Sequence, residues 1–224
     1  MGSIGLEEPS QDLIQLPIIN VSDTSPENGR RLVDAAIKYG FLYLSPDGTP
    51  FSESLIKSQF DLSKQFFAQP TSEKEKYKIG TDNRGFTGMH NEILDPSKDT
   101  KEFKEAFNMG EFDADRMPQQ KMPAWLAVGE NLEQLRIFEK ACRTTCNQVL
   151  DLIGVGLEIE EGTDWFSRRH GQPSGCTVRL LHYPSLPAVC ICHITKAASL
   201  IAFRTQIIRL TQMFEQGRTP TMAV

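Results

Sequence analysis

Gly175-Cys176-Thr177-Val178-Arg179-Leu180-Leu181-His182-Tyr183-Pro184 is the stretch whose reading decides the fold. A Gly at one end and a Pro at the other bracket a run dominated by branched apolar residues, the pattern of a strand. Successive side chains of a strand point to opposite faces, so Val178, Leu180 and His182 lie on one side and Arg179, Leu181 and Tyr183 on the other. Neither side is wholly apolar. An Arg and a His among Leu and Val fit a wall lining a polar cavity; they also fit an ordinary half-buried strand with two polar residues at its surface.

Working outward, Leu16 to Val21 reads as a short strand, closed by Ser22-Asp23 and followed by a Ser25-Pro26 helix start. Residues 29–40 place Leu32, Val33, Ala36 and Ile37 on one helix face and end at Gly40. Phe41-Leu42-Tyr43-Leu44 follows as a buried strand, stopped by the Pro46-Asp47-Gly48 turn. From Ser52 to Gln69 the apolar residues Leu55, Ile56, Phe60, Leu62, Phe66 and Phe67 recur at helical spacing until Pro70.

Thr71 to Tyr77 reads as a short helix whose charges form a wet face, and Asn83 to Gly88 as an aromatic strand between glycines. Asp99 to Gly110 reads as a loop and a short amphipathic piece. The longest helix spans about Trp125 to Leu157, with Leu132, Leu135, Phe138, Cys142, Cys146, Val149, Leu150 and Ile153 in a stripe. Thr163-Asp164-Trp165-Phe166 opens one more short helix. The spacing thus predicts helices over 27–39, 52–68 and 126–153 and strands over 17–20, 41–44 and 177–183. That order is α+β, with helices bracing one side of a sheet.

A chain of 224 residues, 39% hydrophobic and 24% charged, has ordinary globular composition. A net charge of −5 without a Lys/Arg cluster argues against a nucleic-acid partner. No apolar run approaches a membrane span. The first residues lack a basic, apolar leader pattern, so the chain reads as a soluble cytoplasmic protein. Cys142 and Cys146 sit one helical turn apart and read as buried thiols. Cys190, Cys192 and His193 form a C-x-C-H cluster, unlike the paired C-x-x-C knuckles of structural zinc.

These segments, in this order, carry a resemblance. The 16–21 strand, Lys38-Tyr39-Gly40-Phe41, Phe66-Phe67-x-x-Pro70, Lys74-Glu75-Lys76-Tyr77, Arg84-Gly85-Phe86 and Lys101-Glu102-x-x-Glu105-x-Phe107-x-x-Gly110 resemble the N-terminal region of iron(II)/2-oxoglutarate-dependent dioxygenases of the isopenicillin-N-synthase-like family. Val178 to Pro184 resembles that family's entry strand into its jelly roll, a double-stranded β-helix. The resemblance implies an α+β fold with the jelly roll incomplete. Its divisions are a leader over 1–15, the dioxygenase N-terminal region over 16–174, the first part of the jelly roll over 175–188 and an aberrant tail over 189–224.

It also implies chemistry: Fe(II), 2-oxoglutarate and ascorbate as cofactors, and hydroxylation, desaturation or ring formation on a small molecule, with fungal members often serving secondary metabolism. Tyr183 matches the tyrosine facing the cosubstrate, and Arg179 lines the same strand. Phe86, Phe103 and Phe107 correspond to residues lining or supporting the substrate mouth; a bottom-up reading makes them buried aromatics instead. Leu181 and His182 stand where many plant members have Asn and Tyr, which alters the polar pattern.

The family's iron is held by two His and one carboxylate, with H-x-D following the entry strand. This sequence has no H-x-D after Pro184; its four His are His90, His170, His182 and His193. Bases taken across the codon junctions from Met213 to Val224 can encode a segment containing H-T-D, the family's iron-binding pattern in another frame. Val189-Cys190 can encode an intron start, and Ala202-Phe203-Arg204 an intron end, at a spacing that is not a multiple of three bases. The expectation is that 189–224 translates a retained intron and a frameshifted exon, so that the chain as written binds no iron. The alternative is a truncated, catalytically inactive paralogue with at most a binding role.

Overall fold

The computed structural model describes residues 15–95, 100–112, 118, 120–171, 174–185 and 209–211. The expected leader and most of the expected 189–224 tail, with Cys190, Cys192 and His193, lie outside the described residues.

Strand β1 (Ile18–Ile19) leads into helix α1 (Pro26–Tyr39). The Ser25 hydroxyl accepts from the Asn28 amide, Pro26 sits in the first turn, and Gly40 closes the helix in the left-handed region at φ 69°. Strand β2 (Tyr43–Leu44) pairs with β1 in parallel. Helix α2 (Glu53–Phe67) starts at Ser52, whose hydroxyl accepts from the Leu55 amide at 3.1 Å. Helix α3 (Thr71–Lys74) runs into a 3-10 turn at Glu75–Tyr77. Strands β3 (Gly85–Thr87), β4 (Ile93–Asp95), β5 (Thr100–Lys101) and β6 (Glu105–Gly110) precede the long helix α4 (Gly129–Gly156). A 3-10 turn at Ser167–Arg169, strand β7 (Thr177–His182) and strand β8 (Arg209–Thr211) complete the order.

The main sheet has the order β3-β6-β7-β8, antiparallel throughout. Its side facing the helices carries Phe86, Phe107, Met109, Val178 and Leu180, which pack with Leu55, Phe66, Leu135, Phe138 and Cys142 from α2 and α4. A smaller core of Ile19, Leu32 and Leu152 joins β1, α1 and α4. Helices α1 and α4 cross closely. A Cβ on Gly156 would lie 2.3 Å from the Gly29 carbonyl oxygen, so only glycine permits this approach.

The segments 26–39, 53–67 and 129–156 confirm three predicted helices, and 177–182 confirms the decisive strand. Five readings need correction. The buried positions of α1 are Asn28, Gly29, Leu32 and Ala35, while Ile37 is exposed, because the glycine crossing rather than the apolar count sets which side meets α4. Phe41 and Tyr43 are exposed, so 41–44 is not a buried strand; only Leu42 and Leu44 pack against the small core. In the 99–110 segment, read as a loop and a short amphipathic piece, 102–104 is loop but Glu105–Gly110 is β6, an inner and fully buried strand of the main sheet. Lys74 is buried in an ion pair, not part of a wet face. Helical structure near 163–166 begins later, as the short turn at Ser167–Arg169.

Candidate functional site

Cross-strand register divides the sheet into two chemically different sides. Residues directly opposite in an antiparallel pair share a side, so Phe86, Phe107 and Leu180 stack in one row toward the helices. The other side carries Gly85, Asn108 and Arg179 in one row and Thr87, Ala106 and Leu181 in the next. That side mixes polar and small residues with Leu181, and all of them except the half-buried Arg179 are buried.

Several polar atoms on that side are buried. The Asn108 amide nitrogen donates to the Asn83 carbonyl at 3.0 Å and to Asn83 Oδ1 at 3.2 Å. Asn108 Oδ1, Thr87 Oγ1 and Arg179 Nε have no hydrogen-bond partner among the described residues. Buried groups of this kind are costly unless something satisfies them. Beyond the end of β3, the Gln120 side chain stands in for a strand, accepting from the Gly110 amide at 3.1 Å and donating to the Asn108 carbonyl at 2.9 Å.

Arg179 reaches over this face to Glu92, which leads into the β4–β5 hairpin. Lys104 closes the network, 2.8 Å from Glu92 Oε2 and paired also with Glu102. Burial pushes the Glu92 carboxyl up, but the Lys104 hydrogen bond and the charges of Arg179 and Lys104 outweigh it and hold it below its ordinary range.

At the far end of β6 lies a second polar group, on the helix side. Lys74 Nζ is 2.7 Å from Glu105 Oε1 and donates to the Phe67 carbonyl at 3.1 Å. His182 Nδ1 is 3.1 Å from Glu105 Oε2, and its ring stacks on Phe67 with centroids 5.2 Å apart. Both carboxylate oxygens are thus occupied, which is how a charge can sit in the core. A third group surrounds Arg143, which pairs with the buried Glu111 and lies 3.5 Å from Glu139.

Of the residues singled out from sequence, Arg179 lies on the small, polar side and Tyr183 stands exposed just past the end of β7. Phe86 and Phe107, expected at the substrate mouth, are fully buried on the opposite side, with rings 6.0 and 4.4 Å from Phe66. Phe103 is exposed, its ring edge-on to His90 at 4.7 Å. Phe86 and Phe107 therefore do not share a side of the sheet with Arg179. Sequence reasoning missed Lys74, Glu92, Lys104, Glu105 and Asn108. For Glu105, Phe107 and Met109 the alternation along β6 was a usable signal; for Lys74 nothing local distinguished it from its exposed neighbours.

Among the described residues no three His, Cys, Asp or Glu side chains stand together so as to hold a metal ion. His182 faces Glu105, His170 faces Cys176 and His90 packs on Phe103. These residues do not fit an iron centre of two imidazoles and a carboxylate.

The family model for the N-terminal region of the non-haem dioxygenase in morphine synthesis matches residues 15–127. The chain belongs to this iron(II)/2-oxoglutarate-dependent dioxygenase family. It is 29% identical over 201 residues to a 2-oxoglutarate-dependent dioxygenase of Didymella fabae, covering 79% of this chain and 58% of that one. It is also 29% identical over 192 residues to the 1-aminocyclopropane-1-carboxylate oxidase of Dictyostelium mucoroides, covering 78% and 50%. The crystal structure of a full-length Neurospora crassa protein in complex with alpha-KG has a similar fold, with TM-score 0.65 and 22% identity over 84% of this chain and 59% of that one. The chain spans about half the length of the curated relatives it matches. No helix among the described residues is long and apolar enough to cross a membrane.

Proposed function

We propose that the complete gene product oxidises a small molecule with Fe(II) and 2-oxoglutarate, in fungal secondary metabolism, by hydroxylation, desaturation or ring formation. The observation that carries this reading is the β3–β6–β7 face, where Arg179, Asn108 and Thr87 offer buried polar atoms beside Gly85 and Ala106. Membership of the dioxygenase family supports it, as does the Didymella fabae relative, whose name is that of the reaction class. In this reading Arg179 and Tyr183 hold carboxylate oxygens of 2-oxoglutarate, Arg179 as a charged planar donor and Tyr183 through its hydroxyl. Glu92 occupies the Arg179 guanidinium in this structure and would exchange for the cosubstrate carboxylate. Bound iron would bring dioxygen, the oxidant, together with 2-oxoglutarate, which is oxidised to succinate and carbon dioxide as the substrate is oxidised; Arg179, Tyr183 and the polar face around them would orient the cosubstrate and exclude water.

A second reading applies to the chain as written: a catalytically inactive form that binds no stoichiometric iron. It is favoured by where the described imidazoles stand, His182 against Glu105, His170 against Cys176 and His90 against Phe103, with no two of them converging on a shared carboxylate. In this reading residues 189–224 translate a retained intron and a shifted exon. The experiment expresses two proteins, the 224-residue chain and the product of the rejoined reading frame with its C-terminal exon. Iron content and 2-oxoglutarate-dependent succinate formation are measured in both. Succinate from the rejoined product alone supports both readings. Stoichiometric iron and turnover in the 224-residue chain refute the second, and succinate from neither refutes the first.

A further inference from the structure

Away from the Arg179 face, the turn leading into β7 sets a thiol against an imidazole. Cys176 Sγ lies 3.4 Å from His170 Nε2, and both residues are half-buried. The placement is built rather than incidental. Ser174 is fixed by Glu111, which accepts from its backbone amide and, at 3.0 Å, from its hydroxyl. The Ser174 hydroxyl in turn accepts from the Cys176 amide at 3.3 Å and from Arg143 at 3.4 Å. Glu111 is 2% exposed and is itself paired with Arg143, so the anchor of this turn is a buried ion pair.

We propose that Cys176 is a nucleophilic thiol with His170 as its proton acceptor, and that it is a site of reversible oxidation by hydroperoxides. The groups that act on this pair are Arg143 and Glu111 at His170 and Cys146 at Cys176. Burial, reinforced by the Arg143 charge and opposed by Glu111, holds the His170 imidazole below its ordinary value, so it is neutral at physiological pH and able to take a proton. Burial pushes Cys146 up to about 11 and Cys142 higher still, which keeps both as unreactive thiols.

In the oxidation step the Cys176 S–H proton passes to His170 Nε2, the sulfur lone pair attacks one oxygen of the hydroperoxide, and an S–O bond forms as the O–O bond breaks. The departing hydroxide or alkoxide takes the proton back from the imidazolium and leaves as water or alcohol. Sulfur is oxidised by two electrons to the sulfenic acid and the peroxide is reduced by two. A small thiol restores Cys176 through a mixed disulfide.

The test uses the full chain with hydrogen peroxide as oxidant and dimedone as the sulfenic-acid trap, read by peptide mass spectrometry so that all five cysteines are resolved. Iodoacetamide alkylation rates at neutral pH are measured on the same peptides. The expected result is dimedone on Cys176 ahead of Cys142 and Cys146, with Cys176 also the fastest of the three to be alkylated. His170→Gln should slow Cys176 alkylation by about tenfold. The wild-type ranking decides independently of how well the variant folds. Cys176 labelled no faster than Cys142 and Cys146, or a folded His170→Gln protein with unchanged rate, overturns the proposal.

Discussion

Lys74 and Glu105 form a salt bridge of 2.7 Å with side chains 5% and 9% exposed, joining a short surface helix to the central strand. Lys74 is the buried cation that balances Glu105, with His182 on the other carboxylate oxygen. Lys74→Met should therefore leave Glu105 as a buried charge and cost about 3–5 kcal/mol, read from the urea midpoint. The double change Lys74→Met, Glu105→Leu should recover a large part of that loss, because two well-packed apolar groups replace two desolvated charges. A single change costing under about 1 kcal/mol, the range of a surface pair, would mean that the pair is solvated.

The α1–α4 crossing predicts strong intolerance at its two glycines. A Cβ at Gly156 meets Gly29 backbone at 2.3 Å, and one at Gly29 meets Gly156 N at 2.7 Å. Backbone cannot rotate away, so Gly156→Ala should lose about 1–3 kcal/mol through overpacking, despite the gain in helix propensity. Gly171→Ala, where no atom lies within 4 Å, is the control and should change the melting temperature little.

Capping supplies a smaller effect. Ser52→Ala removes the acceptor for the Leu55 amide and should cost about 1 kcal/mol, whereas Ser52→Asp should preserve stability. Thermal melts of the two variants separate capping from a general loss of polarity.

Acid should loosen the hairpin over the polar face. Glu92 titrates below its ordinary value of 4.5 in the folded chain, so its contribution is fully present above that value and is lost as pH falls through the folded one. Glu92→Gln should lower stability at neutral pH and flatten this part of the acid limb. Hydrogen exchange at residues 93–95 and 100–101 checks the site directly, with faster exchange expected in the variant.

Much of the architecture was legible because local and tertiary signals agreed. Ser25-Pro26 and Gly40 bounded α1, the Phe66-Phe67 stripe and Pro70 bounded α2, and alternation from Thr177 to His182 gave β7. The failures share a cause: the deciding partner lies far away in the chain. Glu105 and Asn108 look like loop residues until Lys74, His182 and Asn83 satisfy them, so the central strand was hidden by its own polar content. Gly29 faces α4 because a glycine at 156 lets the helices touch, and Asn28 is buried because its amide donates to the Asn20 and Asp23 carbonyls; no count of apolar residues in α1 contains either. Strand parity puts Arg179 and Tyr183 on one side of β7, whereas Glu92 and Lys104 reach Arg179 only through the path of the hairpin.

The central claim is that the small, polar side of β6–β7 receives 2-oxoglutarate through Arg179. It is tested by the KM for 2-oxoglutarate of the rejoined gene product carrying Arg179→Met, with Glu92→Gln as the control that loosens the hairpin while leaving the guanidinium. Loss of one charge-assisted contact of about 1.5–3 kcal/mol predicts a KM raised at least about tenfold in Arg179→Met. The Glu92→Gln protein should keep a KM equal to or below that of the parent, since an internal competitor for Arg179 is gone. An unchanged KM in Arg179→Met, or equal rises in both variants, would contradict the claim.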